Sequence, residues 1–135
     1  SDLLQISKKI ENFLKKNKSL KKKKILILGF SYKKDSDDTR ESPVKKICEY
    51  LKDKVKNELI ICDPHIENKD SDINKQYKFI NSKKLYNQKF LRSLALCFIG
   101  TNHSIFNYEY LFKHINMIFD SRNSFKKENA KIKLV

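Results

Sequence analysis

Apolar residues recur at helical spacing in the first part of the chain. Within residues 2–16 they mostly stand three or four positions apart, with lysines, Glu11 and Asn12 between them. The apolar positions are Leu3, Ile6, Ile10, Phe13 and Leu14. This spacing predicts an amphipathic helix with one face to bury. Residues 18–24 are mostly lysine and predict a basic linker after that helix.

The next three elements are predicted to be a strand, a helix and a second strand. Residues 25–28 are a continuous apolar run, as in a central parallel strand. Ser42 is a suitable N-cap, and Pro43 fits the first helical position because an N–H there would have no helical partner. The apolar positions of this helix are Val44, Ile47, Cys48, Leu51 and Val55. With a second strand at 58–62, the three elements predict a βαβ unit whose helix packs on the sheet.

The rest of the chain continues this alternation. The predicted elements are a short strand at 77–80, a helix at 82–92, a buried strand at 94–99, a helix at 105–114 and a last strand at 117–119. Strands alternating with helices predict an α/β fold with a doubly wound, mostly parallel sheet. The length of 135 residues fits one domain.

Charge and hydropathy narrow the class of protein. The net charge is +14, and of the 30 basic residues only Arg40, Arg92 and Arg122 are arginine. Positive charge attracts nucleic acid, yet these lysines spread along the chain instead of forming one stripe with aromatic residues between them. A lysine-rich solvated surface is the preferred interpretation, and a basic nucleic-acid-binding or scaffold module remains the alternative. No apolar segment is long enough for a membrane span, and none resembles a signal peptide, so a cytoplasmic location is expected.

The cysteines do not predict catalysis or cross-linking. Cys48, Cys62 and Cys97 are odd in number, widely spaced and each within an apolar run. These features predict buried free thiols instead of disulfides. Their spacing is not that of metal ligands, and catalytic thiols usually occupy exposed electropositive settings.

The two glycines of the chain both follow predicted strands. Gly29 and Gly100 stand at carboxyl ends, where open α/β sheets bind ligands; for each, the alternative is that it simply ends its strand. Lys33, Lys34 and Arg40 follow Gly29 in a loop that leads to a helix N-terminus, which predicts an anionic ligand such as a phosphate. The sequence GFSYKK fits neither the GxGxxG motif of dinucleotide-binding loops nor the P-loop motif, so side-chain cations are expected to bind the anion.

Other polar residues near these strand ends have two interpretations each. Asp35, Asp37 and Asp38 are interpreted as partners that brace the loop against lysines and Arg40, because the spacing of a calcium loop is absent. His65 and His103 also stand at strand ends, where a ligand can reach them, but single histidines more often pack loops. His114 is predicted at a helix end. No metal site is predicted.

Four motifs resemble a known family. They are GFSYKKDSDDTRESP at 29–43, IICDPH at 60–65, CFIGTNHSIF at 97–106 and FDSRN at 119–123. In this order they resemble the C-terminal nucleotide-sugar-binding domain of the UDP-glucose/GDP-mannose dehydrogenases, which include UDP-N-acetylmannosamine dehydrogenases, over about residues 22–125. The resemblance implies a Rossmann-like sheet with the amphipathic helix before it. Residues 1–21 would then be the helix and linker from a preceding central domain, and residues 22–135 the UDP-sugar-binding domain.

The resemblance also implies an activity for a complete enzyme. In that family, two hydride transfers to NAD oxidise the sugar C6 alcohol to a carboxylate through a cysteine thiohemiacetal and a thioester, and an N-terminal domain binds most of the NAD. By motif position, Tyr32, Lys33 and Arg122 would contact the UDP-sugar, and Arg40 would face NAD. Two residues depart from the family pattern: Tyr32 stands where phenylalanine is usual, and Ser121 where glycine is frequent.

Two parts of such an enzyme have no counterpart in this sequence, namely the glycine-rich NAD fingerprint and the catalytic cysteine motif. We therefore expect no catalytic residue here and no activity from this chain alone. We expect a fragment, or a separately encoded piece, that binds a UDP-sugar in a cleft completed by the other domains. The full enzyme is expected to be a homo-oligomer.

Overall fold

The strands form one sheet whose order reverses at its centre. The computed structural model describes residues 2–31, 35, 42–66, 75–122, 124 and 128–135. The strands within these ranges are β1 (Ile25–Leu28), β2 (Leu59–Cys62), β3 (Lys78–Phe79), β4 (Leu96–Ile99), β5 (Ile118–Asp120) and β6 (Ile132–Leu134). Their order is β3-β2-β1-β4-β5-β6, and every pair is parallel. The predicted doubly wound, parallel α/β class is confirmed, in the Rossmann order.

The three central strands are in register. Leu28, the last residue of β1, lies opposite Cys62 of β2 and Ile99 of β4. Every residue of these strands is buried, which explains the continuous apolar runs that predicted them. Because parallel strands of equal length end at the same level, the loops after β1, β2 and β4 meet at one edge of the sheet.

Helices cover both faces of the sheet. Those with both ends described are α1 (Leu3–Lys16), α2 (Pro43–Lys54), α3 (Gln88–Arg92) and α4 (Tyr108–His114), with short 3₁₀ helices at Lys18–Leu20 and Ser82–Leu85. One hydrophobic cluster joins α1 and α2 to Ile25 and Ile27 of β1. A second cluster joins α3 and α4 to Leu26 and Leu28. Successive β1 side chains therefore point to opposite helix layers.

Helix α1 is part of the core of this domain. Ile6, Ile10 and Leu14 are buried in the same cluster as α2, and Tyr50 of α2 donates a hydrogen bond to Glu11 at 2.6 Å. The predicted amphipathic helix thus buries its apolar face within the described part of the chain. The domain boundary after residue 21 stays a prediction.

Two predicted elements are wrong in detail. The helix predicted at 82–92 is a 3₁₀ helix followed by the separate α3, because Asn87 caps α3 by accepting a hydrogen bond from Phe90 N at 2.9 Å. The strand predicted at 117–119 is not the last, since β6 follows it. Strand β6 has only three residues and pairs with β5 at the sheet edge, so it is too short to give a clear periodic signal.

The cysteines are buried free thiols, as predicted. Burial raises the pKa of the Cys48 thiol to about 12, with a smaller contribution from Glu49. Burial also raises the pKa of Cys97. Among the described residues, the helices are too short or too polar to span a lipid bilayer.

Candidate functional site

The loops after β1 and β4 face each other where the strand order reverses. The chain passes from β1 to its neighbour on one side, and β4 later pairs with the other side of β1. At such a position the connections diverge and leave a crevice beyond the carboxyl ends of the strands. Of the sequence-predicted residues, Gly29, Gly100, His65 and His103 all lie at this edge.

The two glycines allow close contact between these loops. Gly29 has φ +82°, and a Cβ on it would lie 2.2 Å from the backbone O of Thr101. A Cβ on Gly100 would lie 2.7 Å from the O of Gly29 and 2.5 Å from a methyl group of Val44. The absence of both side chains is therefore required by the protein itself, a reason that the sequence analysis did not identify.

The carboxylate of Asp63, directly after β2, is the centre of a buried hydrogen-bond network. Oδ2 accepts from the backbone N–H of Phe30 at 2.7 Å and of Ser31 at 2.9 Å. Oδ1 accepts from His65 N at 2.9 Å. Burial alone would raise the pKa of Asp63, but hydrogen bonds from His103, Phe30 and Ser31 outweigh it and lower that pKa below its usual value. Asp63 is thus an ionised group that joins two loops.

The hydrogen bonds of His103 define its tautomer. Asp35 N donates to Nδ1 at 2.7 Å, so Nδ1 carries no proton. The ring proton is therefore on Nε2, which donates to Asp63 Oδ2 at 2.9 Å and lies 3.1 Å from Ser31 Oγ. The ring is fully buried. His103 is consequently a neutral imidazole that connects a strand-end carboxylate to the loop after β1.

Two hydroxyl groups brace the same region. Thr101 Oγ1 donates to the backbone O of Ser31 at 2.7 Å. Ser42 Oγ donates to Phe30 O at 2.7 Å and accepts from Lys45 N at 3.4 Å, which confirms the predicted N-cap of α2. Both ends of the β1–α2 connection are therefore fixed to neighbouring backbone.

Asp35 contacts the β4–α4 connection, while its predicted pairing with lysines and Arg40 stays a prediction. Its carboxylate accepts from the N–H of Ser104 at 2.8 Å and from its hydroxyl at 2.9 Å. Asp35 has φ +55°, a left-handed conformation that Asp tolerates better than most residues. The described residues on either side of 32–34, namely Ser31 and Asp35, thus both bind the loop that follows β4.

Asp35, His65 and His103 also bring three potential metal-ligand atoms within 4.8 Å of one another. His103 Nδ1 and one carboxylate oxygen of Asp35 already accept backbone N–H bonds. His65 Nε2 is buried without a hydrogen-bond partner in the described part of the chain. A metal would have to replace the hydrogen bond from Asp35 N to His103 Nδ1, since that nitrogen has a single lone pair, so the arrangement favours a hydrogen-bond network over a metal centre.

Arg122 approaches the same edge from β5. Its side-chain Nε donates to the backbone O of Gly100 at 2.9 Å, and its backbone N–H donates to the Asp120 carboxylate at 3.0 Å. The side chain is exposed. The guanidinium of this exposed residue is therefore held beside the β4 end, and a guanidinium can form paired hydrogen bonds with anionic oxygens.

Three of the predicted site residues, Tyr32, Lys33 and Arg40, lie outside the described residues, as do Lys34, Asp37 and Asp38. His114 ends α4 as predicted, is buried, and lies 3.2 Å from Arg92 Nη2 through Nδ1. Asp63 was not among the site residues predicted from the sequence. The available signal was that Ser31, Asp63 and His103 each follow a different central strand, and such strand ends meet at one edge.

Comparison with known proteins points to one family. The profile of the UDP-glucose/GDP-mannose dehydrogenase family, UDP binding domain, matches residues 26–127. UDP-glucose 6-dehydrogenase 2 from Arabidopsis thaliana is 47% identical over 49 residues, which cover 36% of this chain and 10% of that protein. The chain thus spans about a tenth of the length of this curated relative.

Solved structures show the same fold. The structure of a UDP-D-ManNAc dehydrogenase from Pyrococcus horikoshii matches with a TM-score of 0.67 and 24% identity, over 97% of this chain and 30% of that one. The native structure of a UDP-N-acetyl-mannosamine dehydrogenase from Staphylococcus aureus matches with a TM-score of 0.62 and 25% identity, over 93% of this chain and 29% of that one. The chain therefore corresponds to under a third of each of these two structures.

Proposed function

We propose that this chain, which belongs to the UDP-glucose/GDP-mannose dehydrogenase family and corresponds to its UDP-binding domain, binds the UDP part of a UDP-sugar at the edge beyond β1 and β4. The sugar itself would be oxidised at C6 by NAD in a complete enzyme. That chemistry would require the parts of the relatives that this chain does not span.

One observation carries the proposal: the hydrogen bond from Arg122 Nε to Gly100 O brings a guanidinium from β5 to the crevice between the β1 and β4 loops. A diphosphate presents several oxygens in a small volume. The planar guanidinium can donate two parallel hydrogen bonds to such oxygens, which a lysine cannot do. An anchored Nε also reduces the conformational entropy that the side chain loses on binding.

Lys33 and Tyr32 are the other proposed contacts with the UDP-sugar. Support comes from the residues that flank them, since Ser31 and Asp35 are both bound to the β4–α4 connection. Lys33 would supply a point charge to the diphosphate or to a sugar oxygen, and Tyr32 an aromatic surface with a hydroxyl group. Arg40 is proposed to face NAD bound mainly by the N-terminal domain of the complete enzyme, which would be a homo-oligomer.

Calorimetric titration of this chain with UDP and UDP-glucose tests the proposal. Arg122→Ala should weaken binding about tenfold or more, because charge-assisted hydrogen bonds contribute about 1.5–3 kcal/mol. Arg92→Ala is the matched control, since Arg92 precedes β4 and so lies at the opposite end of the strands. Lys33→Ala should also weaken binding, whereas Lys24→Ala, just before β1, should not.

The affinity of the isolated chain for UDP-glucose should be lower than that of a complete enzyme because part of the cleft is missing. The proposal would be rejected if wild-type protein gave no binding heat with UDP or UDP-glucose at about millimolar concentration, or if Arg122→Ala and Arg92→Ala behaved alike.

A second candidate function, binding of nucleic acid, is favoured by a lysine-rich depression at the other end of the sheet. This depression, of about 640 Å³, is lined by five lysines, namely Lys15, Lys18, Lys21, Lys54 and Lys56. Lys15 and Lys54 lie in the last turns of α1 and α2, where a cation also stabilises the helix dipole. Affinity for single-stranded RNA that falls steeply with salt, and that UDP does not affect, would support this candidate.

A further inference from the structure

The network around His103 has a consequence for the loop that carries Tyr32 and Lys33. We propose that His103 is a positioning residue of the UDP site: as a neutral imidazole protonated on Nε2, it connects the buried Asp63 carboxylate to the backbone N–H of Asp35 and thereby holds this loop for ligand binding. The inference rests on the proposed function, because it assigns a role within the same site.

The contacts on the two sides of the ring differ in kind. On one side, Nε2 donates to Asp63 Oδ2, which also accepts from Phe30 N and Ser31 N. This carboxylate and the ring are both fully buried, so that side is a rigid anchor. On the other side, Nδ1 accepts from Asp35 N at 2.7 Å. Of the two ring bonds, this second one reaches past residues 32–34 and links the anchor to Asp35, whose carboxylate also accepts from Ser104.

Only one protonation state makes both bonds. A proton on Nδ1 would remove the acceptor for Asp35 N, and it would turn that nitrogen toward Asp35 Oδ1, which lies 3.7 Å away. Among the described residues, the ionisable groups that face the ring are Asp63 at Nε2, Asp35 at Nδ1 and His65, whose ring centroid is 4.4 Å from that of His103. The neutral ring protonated on Nε2 is therefore the form that makes both bonds.

Asparagine and glutamine at position 103 separate the two bonds. Asn places a carbonyl oxygen near the position of Nδ1, so His103→Asn keeps an acceptor for Asp35 N and loses the donor to Asp63. Gln places an amide nitrogen near the position of Nε2, so His103→Gln keeps the donor and loses the acceptor. Both variants are neutral and similar in size. His114→Asn and His114→Gln are matched controls, because His114 is buried at the end of α4, next to the amino end of β5.

The affinity of the variants for UDP-glucose should depend on whether residue 103 keeps an acceptor for Asp35 N. His103→Gln should bind about tenfold more weakly than the wild type, as expected for one lost hydrogen bond that orders a loop, and His103→Asn should bind more tightly than His103→Gln because it keeps the acceptor for Asp35 N. Both His114 variants should bind like the wild type. The ranking of the variants by free energy of unfolding should not follow their ranking by affinity, which distinguishes positioning from general destabilisation. Circular dichroism would confirm that each variant is folded.

The wild-type protein offers a test that needs no substitution. ¹⁵N chemical shifts of the His103 ring at neutral pH should show a protonated Nε2 and an unprotonated Nδ1.

Two results would overturn the inference. One is a ring protonated on Nδ1 at neutral pH, and the other is wild-type protein that binds UDP-glucose while His103→Gln binds as well as His103→Asn. Absence of binding by the wild type, together with the expected tautomer, would instead reject the proposed function and the positioning role that rests on it, and would leave the hydrogen-bond network intact.

Discussion

Replacement of Gly29 by alanine should destabilise the protein strongly, although it adds a single methyl group. Gly29 has φ +82°, and the added Cβ would lie 2.2 Å from Thr101 O, 2.7 Å from Thr101 Cβ and 2.7 Å from Thr101 N. A left-handed conformation costs an alanine about 1–2 kcal/mol. Displacement of packed atoms to admit the methyl group costs about 1–3 kcal/mol more.

The expected loss is therefore about 3 kcal/mol in the free energy of unfolding. The unfolding entropy of globular proteins is about 2.1 cal/mol/K per residue. For 135 residues, a loss of about 3 kcal/mol then lowers the melting temperature by about 10 °C. Thermal melting by circular dichroism and urea denaturation would both measure this change.

Double-mutant cycles would show whether the predicted overlaps are the cause. The overlap at Gly29 involves atoms that every residue at position 101 other than glycine retains, so Thr101→Ala should not rescue Gly29→Ala. By contrast, a Cβ at Gly100 would meet Val44 Cγ2 at 2.5 Å, so Val44→Ala should partly rescue Gly100→Ala, with a favourable coupling energy of about 1 kcal/mol. A Gly29→Ala protein within about 0.5 kcal/mol of the wild type would refute the reasoning.

Three further predictions concern the network and the core. The pKa of Asp63 lies below its usual value of 3.8, so its stabilising effect should be complete at neutral pH and disappear as the pH falls below that value. Asp63→Asn should lower the free energy of unfolding by about 2–4 kcal/mol at about pH 7 and show a flatter acid-unfolding curve. Equal acid sensitivity of the variant and the wild type would contradict this. Asn57 is buried and donates to the backbone O of Leu20 and of Lys23 at 2.8 Å each. Asn57→Ala should lower the free energy of unfolding, measured by urea denaturation, by about 2 kcal/mol. The same substitution at exposed Asn116 should lower it by under about 0.5 kcal/mol. The three buried cysteines should react with a thiol reagent only after unfolding, and one that reacts quickly in the native protein would disprove their burial.

The sequence predicted the sheet well because its central strands are buried on both faces. Four consecutive apolar residues in β1, in β2 and in β4 are required wherever helices cover a parallel sheet. The caps were predictable for a local reason, since Ser42 and Pro43 act within one turn of α2. The pattern failed where the structure depends on distant contacts. Strand β6 has three residues, and its pairing with β5 defines it.

The candidate site was predicted less completely because its contacts are remote in sequence. Ser31 and His103 are 72 positions apart, and Phe30 and Asp63 are 33 apart. Single polar residues after strands give no local indication of their partners. Only the strand order brings them together, and the sequence predicted alternating elements without predicting that order. His103 was therefore interpreted as an ordinary loop histidine, although it connects two loops.

The network also supplies a physical reason for the proposed use of cationic side chains to bind the diphosphate. In glycine-rich nucleotide-binding loops, backbone N–H groups at the first strand end point toward the phosphates. Here the first two N–H groups after Gly29, those of Phe30 and Ser31, both donate to Asp63 Oδ2. An internal carboxylate thus occupies the place of the anion, and because it is ionised, it also repels a phosphate nearby. Under the proposed function, a diphosphate would therefore bind farther from the sheet, near the guanidinium that Arg122 holds beside Gly100.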